Sequence, residues 1–218
     1  MNLALLFDLD GTLMDTIDAI VASMNAAAGE VAIEPFREDE LRPMIGTPVQ
    51  RQLEVLREVS GPPADAFTDR YYAHFARHVD RGVRLFPGVR ETFPFLVSRA
   101  TGTASTRSRD EARHMLHVTG LERYFRAVVG GDEVPRPKPY PDLPLASARA
   151  LGADPSGCVV VGDSPVDVRA GRAAGMRTVG AIYGYGHRSA IDEAGPDAVL
   201  ERFTDLPRVL EILEAHAR

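Results

Sequence analysis

Short apolar segments alternate with amphipathic ones along most of this chain, and this alternation limits its possible folds more than any other feature. Six segments have the length and composition of buried strands: 2–8, 101–105, 126–131, 158–163, 177–183 and 198–200. A helical pattern follows each of the last five, and another covers about 88–98, although Pro94 weakens its middle. Strands that alternate with helices predict an α/β fold with a doubly wound parallel sheet.

The segment from residue 14 to residue 82 lacks this alternation. Helical patterns cover 16–31, 38–46, 48–60 and 64–79, and glycine, proline or serine marks their ends. No strand candidate interrupts these patterns. We therefore predict an α/β core formed by residues 1–13 and 83–218, and a smaller all-helical insert formed by residues 14–82.

Four carboxylates, two hydroxyls and one lysine lie at the carboxyl ends of the predicted strands or in the loops that follow them: Asp8, Asp10, Ser105, Thr106, Lys138, Asp163 and Asp167. Lys138 is the only lysine in the chain. Open α/β sheets bind ligands at the carboxyl ends of their strands. We therefore expect these side chains to meet at one edge of the sheet.

Each of these motifs alone has a purely structural explanation. Asp-Gly is a common turn pair, and Ser164 followed by Pro165 is a usual helix start. Several carboxylates at one edge repel one another, however, and a bound cation relieves that repulsion. A cluster of oxygen ligands is typical of Mg²⁺, which binds one or two carboxylates together with a phosphate.

The composition excludes some classes of partner. The formal net charge is −6 and the sequence pI is about 5.5, which argues against nucleic-acid binding. The only cysteine is Cys158, so no internal disulfide forms, which fits a reducing compartment. The first apolar run is too short for a signal peptide, and no run approaches the ~20 residues that span a bilayer. We expect a cytoplasmic protein without membrane partners.

Four motifs in order resemble those of the haloacid dehalogenase superfamily: DLDGTLMDT (8–16), TASTR (103–107), RPKPYPD (136–142) and GDSPVDVRAGRAAG (162–175). The helical insert between the first two motifs resembles the superfamily's C1-type cap. The resemblance thus implies a cap domain at residues 14–82 and a catalytic core at residues 1–13 and 83–218. The segments MIGTPVQRQL (44–53) and IYGYGHRSAIDEAGPDAVL (182–200) are most similar to the phosphoglycolate phosphatase-like branch.

This resemblance implies a role for each residue of the core motifs. Asp8 would be the nucleophile that forms an aspartyl-phosphate, and Asp10 would be the general acid and base. Mg²⁺ would be held by Asp8, the backbone carbonyl of Asp10 and Asp163, with Asp167 acting through water or through Lys138. Lys138 would place a compact positive charge between Asp8 and a phosphate oxygen, which the wider guanidinium of arginine fits poorly.

The resemblance also implies substrate contacts. Ser105 and nearby backbone N–H groups would bind the phosphoryl oxygens. Thr106 and Arg107 depart from the common pattern of asparagine followed by lysine, which leaves the preferred leaving group open. Candidate substrate-binding residues are Thr106, Arg107, Gly46, Thr47 and Arg51. Gly184 and Gly186 resemble a phosphate-binding loop only weakly, and we expect that loop near the site.

The favoured function is therefore Mg²⁺-dependent hydrolysis of a small phosphomonoester. A phosphomutase of the same superfamily remains an alternative, and so does a catalytically silent protein that binds a phosphorylated metabolite. Haloacid dehalogenation is disfavoured because that branch lacks the second aspartate, here Asp10. The expected partner is a small phosphorylated metabolite, and both a monomer and a homodimer remain open.

Overall fold

The computed structural model describes residues 2–215 and has a five-stranded parallel sheet at its centre. In chain order, the strands are β1 Ala4–Phe7, β2 Met14–Asp15, β3 Arg84–Leu85, β4 Thr101–Thr103, β5 Cys158–Gly162, β6 Arg177–Ala181 and β7 Ala198–Leu200. The sheet has the order β4-β1-β5-β6-β7, while β2 and β3 form a separate antiparallel pair. The predicted α/β class is confirmed.

The helices lie in the insert, between the strands or, for the last one, after β7. They are α1 Ile17–Glu30, α2 Glu38–Leu41, α3 Val49–Arg57, α4 Pro62–Asp80, α5 Val89–Thr92, α6 Arg109–Thr119, α7 Asp142–Leu151, α8 Pro165–Ala173, α9 Arg188–Ala194 and α10 Leu206–Ala215. Within residues 2–215, none of them is long and apolar enough to cross a membrane.

Both faces of the sheet are covered, as a doubly wound fold requires. Leu5 and Phe7 of β1 belong to the larger hydrophobic cluster, whereas Ala4 and Leu6 point to the opposite face and belong to a smaller one. This separation follows from the two-residue period of a strand. Phe7 lies 5.6 Å from the ring of Phe93 in the larger cluster.

The register of the central strands determines where the functional side chains emerge. Phe7 of β1 pairs with Thr103 of β4 and with Val161 of β5. The residues that follow these three positions therefore leave the sheet at one edge. We call this edge, where β1, β4 and β5 end together, the rim.

Helices α1 to α4 lie between β2 and β3, and α1 packs against α4. The prediction that no strand lies within residues 14–82 was wrong in one respect, since β2 occupies Met14–Asp15. The β2–β3 pair joins the entry and exit of this segment. Arg84 Nη2 reinforces the junction with contacts to Asp15 Oδ2 at 2.9 Å and Asp18 Oδ2 at 3.0 Å.

Three further elements differ from the sequence prediction. The helix predicted at 38–46 is α2 followed by a 3-10 turn at Arg42–Met44. Residues 126–131 form only an isolated bridge, between Gly102 and Ala127. The side chain of Thr103 hydrogen-bonds both N–H and C=O of Val129, so it replaces the backbone partner that a strand would use. The helix predicted at 88–98 is α5 followed by a 3-10 turn, since Pro94 supplies no N–H for a continuous helix.

Candidate active site

The rim brings together most of the side chains that the sequence singled out. Asp8 and Asp10 follow β1, Ser105 follows β4, and Asp163 follows β5. All four are buried. Their convergence follows from the register, because β1 lies between β4 and β5 and the three strands end together.

Lys138 reaches the rim from the loop before α7, and its side chain is only 1% exposed. Its Nζ lies 2.5 Å from Asp167 Oδ1 and 3.2 Å from Asp8 Oδ1. Burial lowers the pKa of Lys138, but the two carboxylates raise it further, so the net direction is upward. The lysine therefore stays charged.

Asp8, Asp163 and Asp167 form a carboxylate cluster. One oxygen of each lies within 4.8 Å of the others, and all three side chains are buried. Among residues 2–215, Lys138 is the cation that pairs with this cluster, so full ionisation leaves two negative charges uncompensated there. A divalent cation with a preference for oxygen ligands, such as Mg²⁺, fits both the charge and the donor set.

The same excess of negative charge appears in the pKa values. Burial raises the pKa of Asp8 to about 8, with Lys138 opposing the shift and Asp167 and Asp163 adding to it. Burial, followed by the repulsion from Asp167, raises the pKa of Asp163 to about 7. Without a bound cation, protons therefore compensate part of the charge of the cluster.

Hydrogen bonds hold two of these carboxylates in place. Asp163 accepts from Thr12 Oγ1 at 3.0 Å and from the backbone N–H of Tyr185 at 2.7 Å. Asp167 accepts from both N–H and Oγ of Ser164 at the start of α8, while its other oxygen binds Lys138. Asp167 therefore both supports the start of α8 and contacts Lys138 directly.

The carboxylate of Asp10 turns away from this cluster. Arg107 Nε donates to Asp10 Oδ2 at 2.8 Å, and Arg107 Nη2 donates to Oδ1 at 3.0 Å. Thr16 Oγ1 also donates to Oδ1, at 2.6 Å. Burial alone raises the pKa of Asp10, but Arg107 and Thr16 lower it more strongly, and the net direction is downward. Asp10 is therefore held as a carboxylate.

A cavity of about 90 Å³ separates the rim from the helices of the insert. The predicted residues that line it are Asp10, Gly46, Thr47, Thr106 and Arg107. Arg51 lies elsewhere: its side chain is exposed and pairs with Glu54 on the same helix. Ser105 is buried, and its Oγ accepts a hydrogen bond from the N–H of Arg107.

Sequence inspection missed several residues of the cavity wall. Gln52, Tyr71 and Tyr72 line the cavity from α3 and α4. Gln52 Nε2 donates to Thr47 O, whereas Gln52 Oε1 is buried without a hydrogen-bond partner among residues 2–215. Gln52 and Tyr71 occupy buried positions of amphipathic helices, and no sequence signal distinguishes them from core residues there.

Gly184 lies against the carboxylate cluster, as expected for its loop. A Cβ at this position would lie 2.3 Å from Gly11 O and 2.4 Å from Asp163 Cβ, closer than atoms approach. Gly11 also contacts Asp163, and its φ of +84° favours glycine. These glycines let backbone pack directly against Asp163.

Comparison with known proteins identifies a matching family and several relatives of similar length. The family model described as haloacid dehalogenase-like hydrolase matches residues 5–181. A phosphoglycolate phosphatase of Escherichia coli O157:H7 is 31% identical over 227 residues, which cover 92% of this chain and 89% of that protein. Pyrophosphatase PpaX of Bacillus velezensis is 33% identical over 205 residues, which cover 93% and 94%.

The fold also matches solved structures. A hydrolase from Pseudomonas syringae is similar with a TM-score of 0.84 and 27% sequence identity, and the match covers 97% of this chain and 99% of that one. The similarity therefore includes the helical insert as well as the sheet.

Proposed function

The chain belongs to the haloacid dehalogenase-like hydrolases and is a phosphatase of the phosphoglycolate phosphatase-like branch, and from this premise we propose that it hydrolyses a small phosphomonoester through an aspartyl-phosphate on Asp8, with Mg²⁺. The observation that carries the proposal is the contact of Lys138 with both Asp8 and Asp167 beside Asp163. The proposed nucleophile, a buried cation and the side chains of the proposed metal ligands thus lie in one cluster.

The proposed reaction has two displacements, in which Asp8 is the nucleophile and Asp10 transfers the protons. In the first, a carboxylate oxygen of Asp8 attacks phosphorus and the bond to the leaving oxygen breaks. Asp10, after taking up a proton from solvent when substrate binds, passes that proton to the leaving oxygen. In the second, water attacks phosphorus while Asp10 accepts a proton from it, and phosphate leaves as the Asp8 carboxylate is restored.

The remaining rim residues bind and orient the phosphoryl group. The proposed metal ligands are Asp8, the backbone carbonyl of Asp10 and Asp163, with Asp167 acting through water or through Lys138. When bound, the ion stabilises negative charge on the phosphoryl oxygens. Lys138 supplies a second positive charge beside Asp8, and Ser105 is placed to donate a hydrogen bond to a phosphoryl oxygen.

The leaving group is proposed to enter the cavity between the rim and helices α1 to α4, which act as a cap. At about 90 Å³, the cavity is smaller than the ~150 Å³ that accommodates benzene in an engineered core. The cavity therefore favours a leaving group of few atoms between the rim and the cap. Phosphoglycolate and other small phosphorylated metabolites fit this limit better than nucleotides, and the names of the relatives are consistent with it.

Phosphate release from a panel of phosphorylated metabolites tests the proposal, with Mg²⁺, with chelator, and with Asp8→Asn as the inactive control. We expect release from a few small compounds that is lost with chelator and in the control. Release that persists in Asp8→Asn would contradict the aspartyl-phosphate. Interconversion of hexose phosphates without net phosphate release would identify a phosphomutase instead.

A further inference from the structure

Arg107 binds the carboxylate of Asp10, which the proposed reaction needs for proton transfer. Its Nε and Nη2 bind one oxygen of Asp10 each, at 2.8 and 3.0 Å, and Thr16 Oγ1 binds Oδ1 as well. Both oxygens of Asp10 therefore have donors in the protein. For proton transfer to a leaving group, at least one of them has to be released.

Arg107 also connects the rim to the cap. Its guanidinium lies 3.7 Å from the ring centre of Phe75, and its Nη1 donates to Tyr71 Oη at 3.2 Å. Both aromatic residues belong to α4. Arg107 and Tyr71 line the cavity proposed for the leaving group. The guanidinium is thus buried, held by the cap and adjacent to the space that a substrate enters.

We propose that Arg107 exchanges partners when substrate binds, leaving Asp10 and pairing with a second anionic group on the leaving group of the substrate. This inference rests on the proposed function and adds a condition to it. The second anion is a carboxylate or another phosphate. Binding of such a group both positions the substrate and frees Asp10 for proton transfer.

The exchange is favourable because the guanidinium keeps an anionic partner throughout. Carboxylate and phosphate groups match its planar fork with two parallel hydrogen bonds, as Asp10 does in the absence of substrate. A leaving group without charge offers no such partner, so freeing Asp10 would leave a buried guanidinium unpaired. Arg107 thereby selects doubly anionic substrates and disfavours turnover of neutral analogues.

Two matched pairs of substrates test this selection: phosphoglycolate against ethyl phosphate, and 3-phosphoglycerate against glycerol 3-phosphate. We expect the wild type to prefer the member with the second anion by on the order of 30-fold or more in kcat/KM, since truncating one partner of a buried charge pair has at least this effect. Arg107→Gln should abolish the preference by lowering kcat/KM for the anionic members and not for the neutral ones.

Two further variants separate selection from structural support. Arg107→Lys keeps the charge without the fork and should retain part of the preference. Arg113→Gln removes an exposed arginine from α6 and should change nothing. An equal loss for both members of each pair in the Arg107 variants, or an unchanged preference, would overturn the partner exchange alone. Absence of turnover in the wild type with every compound would refute the proposed function as well.

Discussion

Replacing Lys138 by arginine separates the charge of this side chain from its shape. The ammonium lies 3.2 Å from Asp8 Oδ1 and 2.5 Å from Asp167 Oδ1, in a site that leaves the side chain 1% exposed. At an effective dielectric constant of ~20, two unit charges about 3.2 Å apart attract by roughly 5 kcal/mol. Arginine preserves this attraction, but its planar guanidinium is wider and has to displace a carboxylate.

We therefore expect Lys138→Arg to remain folded and to lose most of its turnover. Overpacking typically costs about 1–3 kcal/mol of stability, while the loss of one aligned charge-stabilising group lowers kcat by about 10²–10³-fold. Lys138→Met removes the charge and should cost about 3–5 kcal/mol of stability, because it breaks a buried ion pair. Added Mg²⁺ should restore part of that stability.

Phosphate release at saturating Mg²⁺ measures the turnover, and urea unfolding measures the stability. Arg136→Lys is the matched control, since Arg136 lies in the same loop and pairs with Asp142 at the surface. It should leave both quantities nearly unchanged. If Lys138→Arg turns over at close to the wild-type rate, the shape of the cation is unimportant and the reasoning fails.

Two further predictions concern the carboxylate cluster. Folding raises the pKa of Asp8 to about 8 and that of Asp163 to about 7. The folded protein therefore binds more protons than the unfolded chain between about pH 4 and pH 8. In chelator, the free energy of unfolding should consequently fall as the pH rises through this window. Urea unfolding should show this fall, and Mg²⁺ or Asp8→Asn should reduce it; a rise over the same window would contradict the assignment. Gly184→Ala would place a methyl group against Asp163, so we expect a stability loss of about 1–3 kcal/mol and weaker activation in a Mg²⁺ titration. Gly157→Ala is its control, since a Cβ there meets no atom within 4 Å, and equal behaviour of the two variants would refute the steric argument.

The position of the rim could be predicted from sequence because it follows from chain direction alone. Parallel strands that alternate with helices end at one edge, so Asp8, Ser105 and Asp163 had to meet once the strands were identified. The lysine was recognisable because it is unique in the chain and lies in the loop before α7. These inferences required only the ends of β1, β4 and β5, which lie within one or two residues of their predicted positions.

Contacts made by long side chains could not be predicted in the same way. Arg107 was expected to contact substrate, but its bidentate pairing with Asp10 depends on how α4 lies above the rim. The strand expected at 126–131 is missing for a related reason. The hydroxyl of Thr103 competes for Val129, and no propensity scale anticipates a single side-chain hydrogen bond of this kind.

The short β2–β3 pair has a consequence for how such a protein diversifies. Because Met14–Asp15 and Arg84–Leu85 are already hydrogen-bonded neighbours, the chain leaves the core and returns to it at nearly the same point. The entropy of closing an inserted segment grows only slowly with its length. Helices between these two strands can therefore be lengthened, exchanged or replaced by a turn with little strain on the sheet. Selection can therefore change the residues of the insert that line the cavity while the strand ends that carry Asp8, Asp10 and Asp163 stay the same.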